Sequence, residues 1–249
     1  MKSIAFFNNK GGVSKTTSVL NIAYILGVVY KRKVLVVDFD GQQNSTRFLS
    51  DSAKEYGIEK VITEADYNAE EALTSTRYDN IDVITSTSEM NNCSEKFTQL
   101  SELDQKFNLD KLRMFWNDRY DYVLIDMPPA LNYLTEQIIS ITDGVIVPVE
   151  LGSFAIQGIA KVTETINKVG ATFTGCFISK YDKKNKADDE LKKLLINNLG
   201  DKVFSTVIPY SNIIRNSIIY KLTAYEYMHW LTPAKRYVEL TEEIIRKVD

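Results

Sequence analysis

Short runs of apolar residues alternate along this chain with longer stretches in which apolar residues recur every three or four positions. The runs have the length and β-branched content of buried strands, and the longer stretches have the periodicity of helices with one buried face. The predicted strands are residues 4–7, 34–37, 81–84, 120–126, 144–149, 174–179 and 203–208. The predicted helices are residues 15–26, 89–118, 132–142, 153–166, 187–199 and 233–248, with weaker helical patches at 53–56 and 69–73.

Strands that alternate with helices of this length favour right-handed crossover connections between parallel strands. We therefore predict an α/β fold with a doubly wound, mostly parallel sheet, helices on both faces, and a single domain over residues 1–249. Ser153 is predicted to cap the helix that follows it. Within residues 89–118, the apolar positions predicted to lie in the core are Phe97, Leu100, Leu103, Phe107 and Leu112.

The first predicted strand runs into NNKGGVSKTT, which we call the phosphate loop (residues 8–17), and then into a helix. Glycines let a backbone turn tightly beside a ligand, and a helix N-terminus offers free N–H groups to an anion. Lys15 is expected to reach the β- and γ-phosphates of a nucleotide, and the Thr16 hydroxyl to coordinate Mg²⁺. The expected nucleotide-binding residues of the loop are Lys10, Gly11, Gly12, Val13, Ser14, Lys15, Thr16 and Thr17.

The general P-loop pattern, G-x-x-x-x-G-K-[ST], has glycine where Asn9 and Ser14 stand in this chain. What remains is K-G-G-x-S-K-T-T, with an additional lysine at Lys10. This sequence resembles the deviant Walker A motif of the ParA/MinD group of P-loop ATPases. In that group the early lysine reaches the phosphates of the partner subunit's nucleotide, so the resemblance implies a catalytic role for both Lys10 and Lys15.

Carboxylates follow two of the predicted strands. Asp38 and Asp40 follow the strand at 34–37, at the edge of the sheet where α/β proteins bind ligands. One of the two could simply cap the next turn. The segment resembles the ParA-like pattern D-x-D-P-Q-x-N, which implies that Asp40 positions the hydrolytic water and that Asp38 supports Mg²⁺. Gly41 replaces the proline of that pattern.

A second acidic strand end lies at Asp126, which precedes Met-Pro-Pro. An apolar strand that ends in aspartate is the Walker B arrangement, in which the carboxylate supports Mg²⁺ directly or through water. The segment matches the ParA-like form h-h-h-h-D-x-P-P. Pro209 occupies the place of a family proline that flanks adenine, although Tyr210 replaces the arginine that usually follows it.

Composition excludes several other kinds of chemistry. The chain has a net charge of −3, one histidine, His229, and two isolated cysteines, Cys93 and Cys176, which disfavours zinc sites and disulfides. It contains no apolar run long enough to span a membrane. The early start of the first strand leaves no room for a signal peptide or for a preceding helix-turn-helix, so a site-specific repressor is not expected.

Basic residues outnumber acidic ones by 13 to 10 in residues 180–249, although the whole chain is acidic. A local basic surface could bind DNA phosphates, or these residues could form ordinary solvated helix faces. The candidates for DNA contact are Lys183, Lys184, Lys186, Lys192, Lys193, Arg215, Lys221, Lys235, Arg236, Arg246 and Lys247.

The resemblance implies a cytoplasmic, nucleoid-associated ATPase of the ParA/Soj type that segregates plasmid or chromosomal DNA. Its cofactors would be ATP and Mg²⁺, and its partners a second copy in an ATP-bound homodimer, non-specific DNA and a ParB-like centromere-binding protein. Intrinsic hydrolysis is expected to be slow until that protein stimulates it.

Three alternative functions can each be judged by one feature of the sequence. A MinD-like membrane-cycling ATPase would need a basic final helix that lies on the membrane, but residues 233–248 are too acidic for that role. We expect the apolar stripe of this helix to pack against the rest of the protein, and Glu243 to face away from that contact. No membrane partner is therefore expected. A metal-cluster carrier like the nitrogenase iron protein would need paired cysteines. A nucleotide-gated adaptor that positions protein cargo without turnover would not need Asp40.

Overall fold

The computed structural model describes residues 1–52, 54–152 and 154–249. Its strands are β1 (Lys2–Phe6), β2 (Val34–Asp38), β3 (Leu73–Ser75), β4 (Ile81–Ile84), β5 (Tyr122–Asp126), β6 (Gly144–Glu150), β7 (Phe173–Tyr181) and β8 (Val203–Pro209). They form one sheet in the order β3-β4-β2-β5-β1-β6-β7-β8. Every neighbouring pair is parallel except β3 and β4. The predicted mostly parallel, doubly wound sheet is confirmed.

The helices of the described residues connect these strands. They are α1 (Lys15–Tyr24), α2 (Asn44–Leu49), α3 (Ile58–Thr63), α4 (Ala69–Ala72), α5 (Met90–Thr98), α6 (Glu102–Asn117), α7 (Tyr133–Ser140), α8 (Ala155–Lys168), α9 (Lys186–Leu199), α10 (Asn212–Ile219), α11 (Ala224–Met228) and α12 (Thr232–Val248). A π-helical turn, Ile25–Val29, extends α1. Ser153, the predicted cap of α8, lies outside the described residues.

The sheet separates two hydrophobic cores, because successive side chains of a strand point to opposite faces. On β1, Ala5 belongs to the core that also buries α3 and α5 to α8, whereas Ile4 and Phe6 belong to the core beneath α1 and α12. Strand β1 lies between β5 and β6, so the chain moves outward from it in both directions. The carboxyl end of β1 is therefore the topological switch point, where doubly wound sheets bind ligands.

Residues 89–118 are largely helical, as predicted, but two of the apolar positions predicted for the core are exposed. The chain breaks between α5 and α6, and the hydroxyl of Ser101 caps α6 by accepting a hydrogen bond from the Asp104 N–H. This break resets the helical phase, so Leu103 and Phe107 are 81% and 56% exposed instead of lying in the core. The positions that α6 buries are Gln105, Asn108, Leu109, Leu112 and Trp116.

Helix α12 packs on the body as predicted, with Tyr237, Leu240 and Ile244 buried. Glu243, expected to face away from the body, is instead buried and accepts hydrogen bonds from the backbone N–H groups of Ser205 and Thr206 at 2.6 and 3.0 Å. These groups lie on the edge strand β8, which has no further strand to pair with in the described parts of the chain. Among the described residues, no helix has the length and apolar character needed to cross a membrane.

Candidate functional site

The phosphate loop is fastened to the strands on one side of β1. The Asn8 side-chain amide donates a hydrogen bond to the Pro148 carbonyl on β6 at 2.8 Å, and its oxygen accepts one from the Lys10 N–H at 2.9 Å. The Ser179 hydroxyl on β7 donates to the Val13 carbonyl at 3.0 Å. The loop conformation is therefore set by contacts with β6 and β7 as well as by its own sequence.

Two residues of the loop have left-handed backbone conformations, Gly12 at φ 76° and Ser14 at φ 71°. Ser14 thus adopts the conformation for which the general pattern has glycine, and it bears the steric cost of its Cβ there. At Gly11, a Cβ would meet no heavy atom within 4 Å. The loop accordingly presents an open concave backbone at the start of α1, as a phosphate site requires.

The two lysines of the loop have opposite environments. Lys15 is 7% exposed, and its ammonium group donates hydrogen bonds to the carbonyls of Asn8 at 3.0 Å and Lys10 at 3.1 Å. Burial lowers the pKa of Lys15, and the carboxylates of Asp126 and Asp40 oppose that shift. Lys10 is exposed at the tip of the loop. Lys15 therefore serves the interior of the site, whereas Lys10 faces outward.

Asp38 and Asp126 lie side by side in register on β2 and β5, and both are buried. Asp38 accepts hydrogen bonds from the N–H and hydroxyl of Thr46, each at 2.8 Å, and from the Asp40 N–H at 3.0 Å. Burial, and then the nearby Asp126 carboxylate, raise the pKa of Asp38 to about 7. These contacts hold Asp38 as a supporting group beneath the site.

Asp126 is the buried carboxylate best suited to a cation. Its Oδ2 accepts a hydrogen bond from the Ser45 hydroxyl at 2.8 Å, whereas Oδ1 is buried without a hydrogen-bond partner among the described residues. Burial raises the pKa of Asp126 to about 6, and the hydroxyls of Ser45 and Thr16 oppose that shift. An unpartnered carboxylate oxygen near a threonine hydroxyl fits one corner of a Mg²⁺ site.

The described residues contain no group of three or more His, Cys, Asp or Glu side chains that could hold a metal alone. Mg²⁺ rarely needs such a cage, because it keeps several waters and takes further oxygens from a bound phosphate. The residues present therefore fit Mg²⁺ that arrives with a nucleotide. They do not fit a permanently bound structural metal.

A cleft of about 880 Å³ opens beside the loop. The loop contributes Gly11, Gly12, Ser14, Lys15, Thr16 and Thr17 to its lining, and we call this part of the cleft, with Asp40, its polar end. The rest of the lining includes the apolar residues Leu20, Phe48, Ile208, Ile214, Ile218 and Tyr237, together with Arg47, Arg215 and Lys221. Pro209 and Tyr210 also line the cleft, so Pro209 lies where an adjacent base could pack. A cleft that combines a phosphate loop with several apolar side chains suits a nucleotide's phosphates and base.

Asp40 is half-buried at the carboxyl end of β2. Its Oδ1 accepts a hydrogen bond from the Gln42 N–H at 2.9 Å, and its carbonyl accepts one from the Ser86 hydroxyl at 2.8 Å. These bonds orient the residue while part of its carboxylate stays accessible to the cleft. The geometry can support a role in which Asp40 positions a water molecule.

The candidates for DNA contact separate into three places. Arg215 and Lys221 line the cleft, and Lys221 forms an ion pair with Asp51 at 2.8 Å. A second group on α12 consists of Lys235, Arg236, Arg246 and Lys247. The third group lies on α9 and the turn before it and consists of Lys183, Lys184, Lys186, Lys192 and Lys193. The candidates therefore belong to three separate parts of the fold.

Sequence motifs did not indicate several residues that build the site. Asn8 fixes the loop, while Ser45 and Thr46 hold the two buried carboxylates. Lys180 and Glu150 form an ion pair at 3.0 Å beside the loop. Proximity to known motifs could have indicated Asn8, Ser45 and Thr46, but no local pattern indicates the ion pair.

Comparisons with known proteins agree with this geometry. Residues 1–177 match the protein family described as AAA domain. The chain is 30% identical over 255 residues to the chromosome-partitioning ATPase Soj of Treponema pallidum, covering 99% of this chain and 98% of that protein.

Two solved structures share the fold. Cobyrinic acid a,c-diamide synthase from Mycobacterium smegmatis, solved with bound ADP and magnesium, has a TM-score of 0.81 and 22% identity, covering 99% of this chain and 94% of that one. The cell division ATPase MinD of Pyrococcus furiosus has a TM-score of 0.78 and 22% identity, covering 98% of each chain.

Proposed function

Because this chain belongs to the ParA/MinD group of P-loop ATPases within the AAA-domain family, we propose that it is a DNA-partition ATPase switched by dimerisation. The observation that carries the proposal is the contrast between its two loop lysines. Lys15 is buried and bonded to its own loop, while Lys10 is exposed at the loop tip. An exposed lysine beside a phosphate site is available to a nucleotide held by a second copy of the chain.

The nucleotide is ATP with Mg²⁺, and the metal supplies neutralisation of the phosphate charge. The N–H groups of the loop and the Lys15 ammonium bind phosphate oxygens, and the apolar side chains of the cleft, with Pro209, receive the base. Asp126, whose Oδ1 has no hydrogen-bond partner among the described residues, and the Thr16 hydroxyl would hold the metal, with Asp38 in support. The Soj relative and the fold relative solved with ADP and magnesium support this assignment.

Hydrolysis requires a water oriented toward the terminal phosphate. Asp40 orients that water, because it lines the polar end of the cleft and its own backbone is fixed by Ser86 and Gln42. Lys15, and Lys10 of the second copy, stabilise the charge that develops on the phosphate oxygens. Since none of the described residues that line the cleft is a histidine, we expect turnover to be slow until a ParB-like centromere-binding protein acts on the dimer.

Non-specific DNA binding follows from the α9 group, whose lysines are mostly exposed. Lysines that contact phosphates without reading bases bind duplexes of any sequence and make affinity fall steeply with salt. We therefore assign DNA contact on the nucleoid to Lys183, Lys184, Lys186 and Lys193. Lys192 also lies on α9, but it is half-buried, with its Nζ 5.5 Å from the centroid of the Tyr181 ring. The remaining candidates either line the nucleotide cleft or lie on α12.

The MinD likeness leaves a membrane-cycling role as the alternative. The apolar stripe of α12 argues against it, because Tyr237, Leu240 and Ile244 are buried against the sheet and cannot enter a lipid interface without unpacking. A partition ATPase needs no such exposure. The DNA-partition function is therefore favoured over membrane cycling.

The test is binding to non-specific duplex DNA at about 100 mM salt, measured without nucleotide, with ADP and with ATP. We expect ATP alone to promote binding, Lys10→Ala to abolish it together with dimerisation, and Asp40→Ala to preserve both. Lys31→Ala removes an exposed lysine that precedes the amino end of β2, whereas the phosphate loop follows the carboxyl end of the parallel strand β1, and it is the matched control. An ATP-dependent dimer that ignores DNA but binds anionic liposomes would reject the DNA-partition function.

A second experiment locates the DNA surface. Replacing Lys183 and Lys186 with glutamate should weaken binding and reduce the slope of log affinity against log salt by about 0.9 for each phosphate that the variant no longer neutralises. Replacing Lys235 and Arg246, two exposed residues of α12, with glutamate serves as the charge-matched control. Weaker binding by the α12 variant alone would move the DNA surface to that helix.

A further inference from the structure

Lys180 lies at the end of β7 in an arrangement that a regular strand does not produce. Its backbone is left-handed at φ 54°, and the pairing of β7 with β8 shifts register between Ile178 and Tyr181. Successive side chains of a regular strand point to opposite faces. Here Ser179 bonds to the Val13 carbonyl, and the next residue, Lys180, also reaches the phosphate loop.

The ammonium group of Lys180 is close to the tip of the loop. Its Nζ lies 4.0 Å from the position that a Cβ on Gly12 would occupy, and the side chain lines the same cleft as Gly11 and Lys15. Its partner is Glu150 at the end of β6, with Nζ and Oε2 3.0 Å apart. A lysine on a neighbouring strand thus adds a positive charge to the polar end of the cleft.

Stability does not account for this ion pair. The side chains of Lys180 and Glu150 are 38% and 33% exposed, and ion pairs that accessible to water contribute little to folding. A left-handed backbone at a residue with a Cβ carries a steric cost, and such conformations are concentrated at functional sites. A β-bulge typically serves to redirect a side chain.

We infer that Lys180 is a phosphate ligand for the nucleotide bound by its own subunit. In the nucleotide-free protein, Glu150 is the ion-pair partner of Lys180. A polyphosphate attracts an ammonium more strongly than one half-exposed carboxylate does, because it carries several negative charges and more acceptor oxygens. Binding therefore exchanges the Glu150 partner for phosphate oxygens. This inference rests on the proposed nucleotide-binding function and adds a third lysine to Lys10 and Lys15.

The arrangement makes opposite predictions for the two members of the pair. Lys180→Met keeps the length of the side chain but removes its charge, and should raise the dissociation constants for Mg·ADP and Mg·ATP about tenfold. Glu150→Gln weakens the competing partner and should lower those constants severalfold. Because Glu150 acts only through Lys180, the double variant should bind like Lys180→Met.

The experiment is isothermal titration calorimetry of the full chain, with thermal unfolding of each nucleotide-free variant as the test of folding. Lys180→Arg, which keeps the charge, should bind nearly as tightly as the wild type. Lys168→Met breaks a comparable ion pair, Lys168 with Glu136 at 2.9 Å on helices α8 and α7, and should leave affinity unchanged. If Lys180→Met binds normally, or if it and Glu150→Gln weaken binding equally, the inference is overturned.

The same titrations separate this inference from the proposed function. A wild-type chain that binds neither nucleotide would overturn both. A wild-type chain that binds nucleotide and loses it in Lys15→Ala, but not in Lys180→Met, would leave the nucleotide site intact and remove only Lys180 from it.

Discussion

Replacing Asp126 with asparagine should stabilise the metal-free protein near neutral pH. Asp126 is buried beside Asp38, and burial raises the pKa of Asp126 from 3.8 to about 6. The native state therefore binds more protons than the unfolded state between these values, and the free energy of unfolding falls as pH rises through that window. A shift of about two pKa units corresponds to a cost of about 3 kcal/mol once the carboxylate is ionised in both states.

Asp126→Asn removes that cost, and the Ser45 hydroxyl can still donate to the amide oxygen. We expect the stability of the variant relative to the wild type to rise by roughly 2–3 kcal/mol between pH ~4, where the native carboxyl is protonated, and pH ~8. This difference between the two pH values cancels the pH-independent cost of burying the amide N–H groups. Urea unfolding in the presence of a chelator measures both values, with equal m-values required for the comparison. Asp79→Asn, which removes an exposed charge, should change stability by less than about 0.5 kcal/mol at either pH.

Loss of stability in Asp126→Asn at pH ~8, equal to that at pH ~4, would refute this reasoning. It would mean that the Lys15 ammonium already neutralises an ionised Asp126 in the native state. Addition of Mg²⁺ and ATP gives the converse test. Mg²⁺ and ATP should stabilise the wild type, because the cation compensates the buried charge of Asp126. They should stabilise the variant much less, because asparagine carries no negative charge for the cation to bind.

Three further substitutions test the local structure. Ser14→Gly should raise the free energy of unfolding by about 0.5–1 kcal/mol in urea, because Ser14 is left-handed; a loss would mean that its hydroxyl compensates for the strain. Asn8→Ala should cost about 2 kcal/mol and speed amide hydrogen exchange in the phosphate loop, because it removes the bond to the buried Pro148 carbonyl; unchanged exchange would show that the loop holds itself. Gly57→Ala should lower the free energy of unfolding by about 1–3 kcal/mol in thermal unfolding, because its Cβ would lie 2.6 Å from the Thr85 carbonyl oxygen. An unchanged free energy would mean that the Thr85 backbone moves freely to make room.

Prediction from sequence succeeded where the signal is local. The apolar strand runs and the acidic ends of β2 and β5 each depend on residues a few positions apart, and these strands were placed correctly, whereas the short strand β3 was missed. It failed in α6, where a cap at Ser101 resets the helical phase and leaves Leu103 and Phe107 in solvent. It also failed at Glu243, which accepts hydrogen bonds from backbone N–H groups of the edge strand β8. The spacing of apolar residues along a helix does not indicate such a contact.

The sequence by itself therefore determined the class of fold and indicated the candidate phosphate loop, since hydrophobic period and loop spacing are properties of short segments. Only the tertiary structure decided which polar groups meet. The strand order places Asp38 beside Asp126, joins Asn8 to Pro148, 140 residues away, and brings Lys180 and Glu150 to the loop. The physical reason is that burial and charge pairing depend on neighbours across the sheet. Those neighbours are fixed by which strands lie side by side, and no short segment of the chain specifies that order.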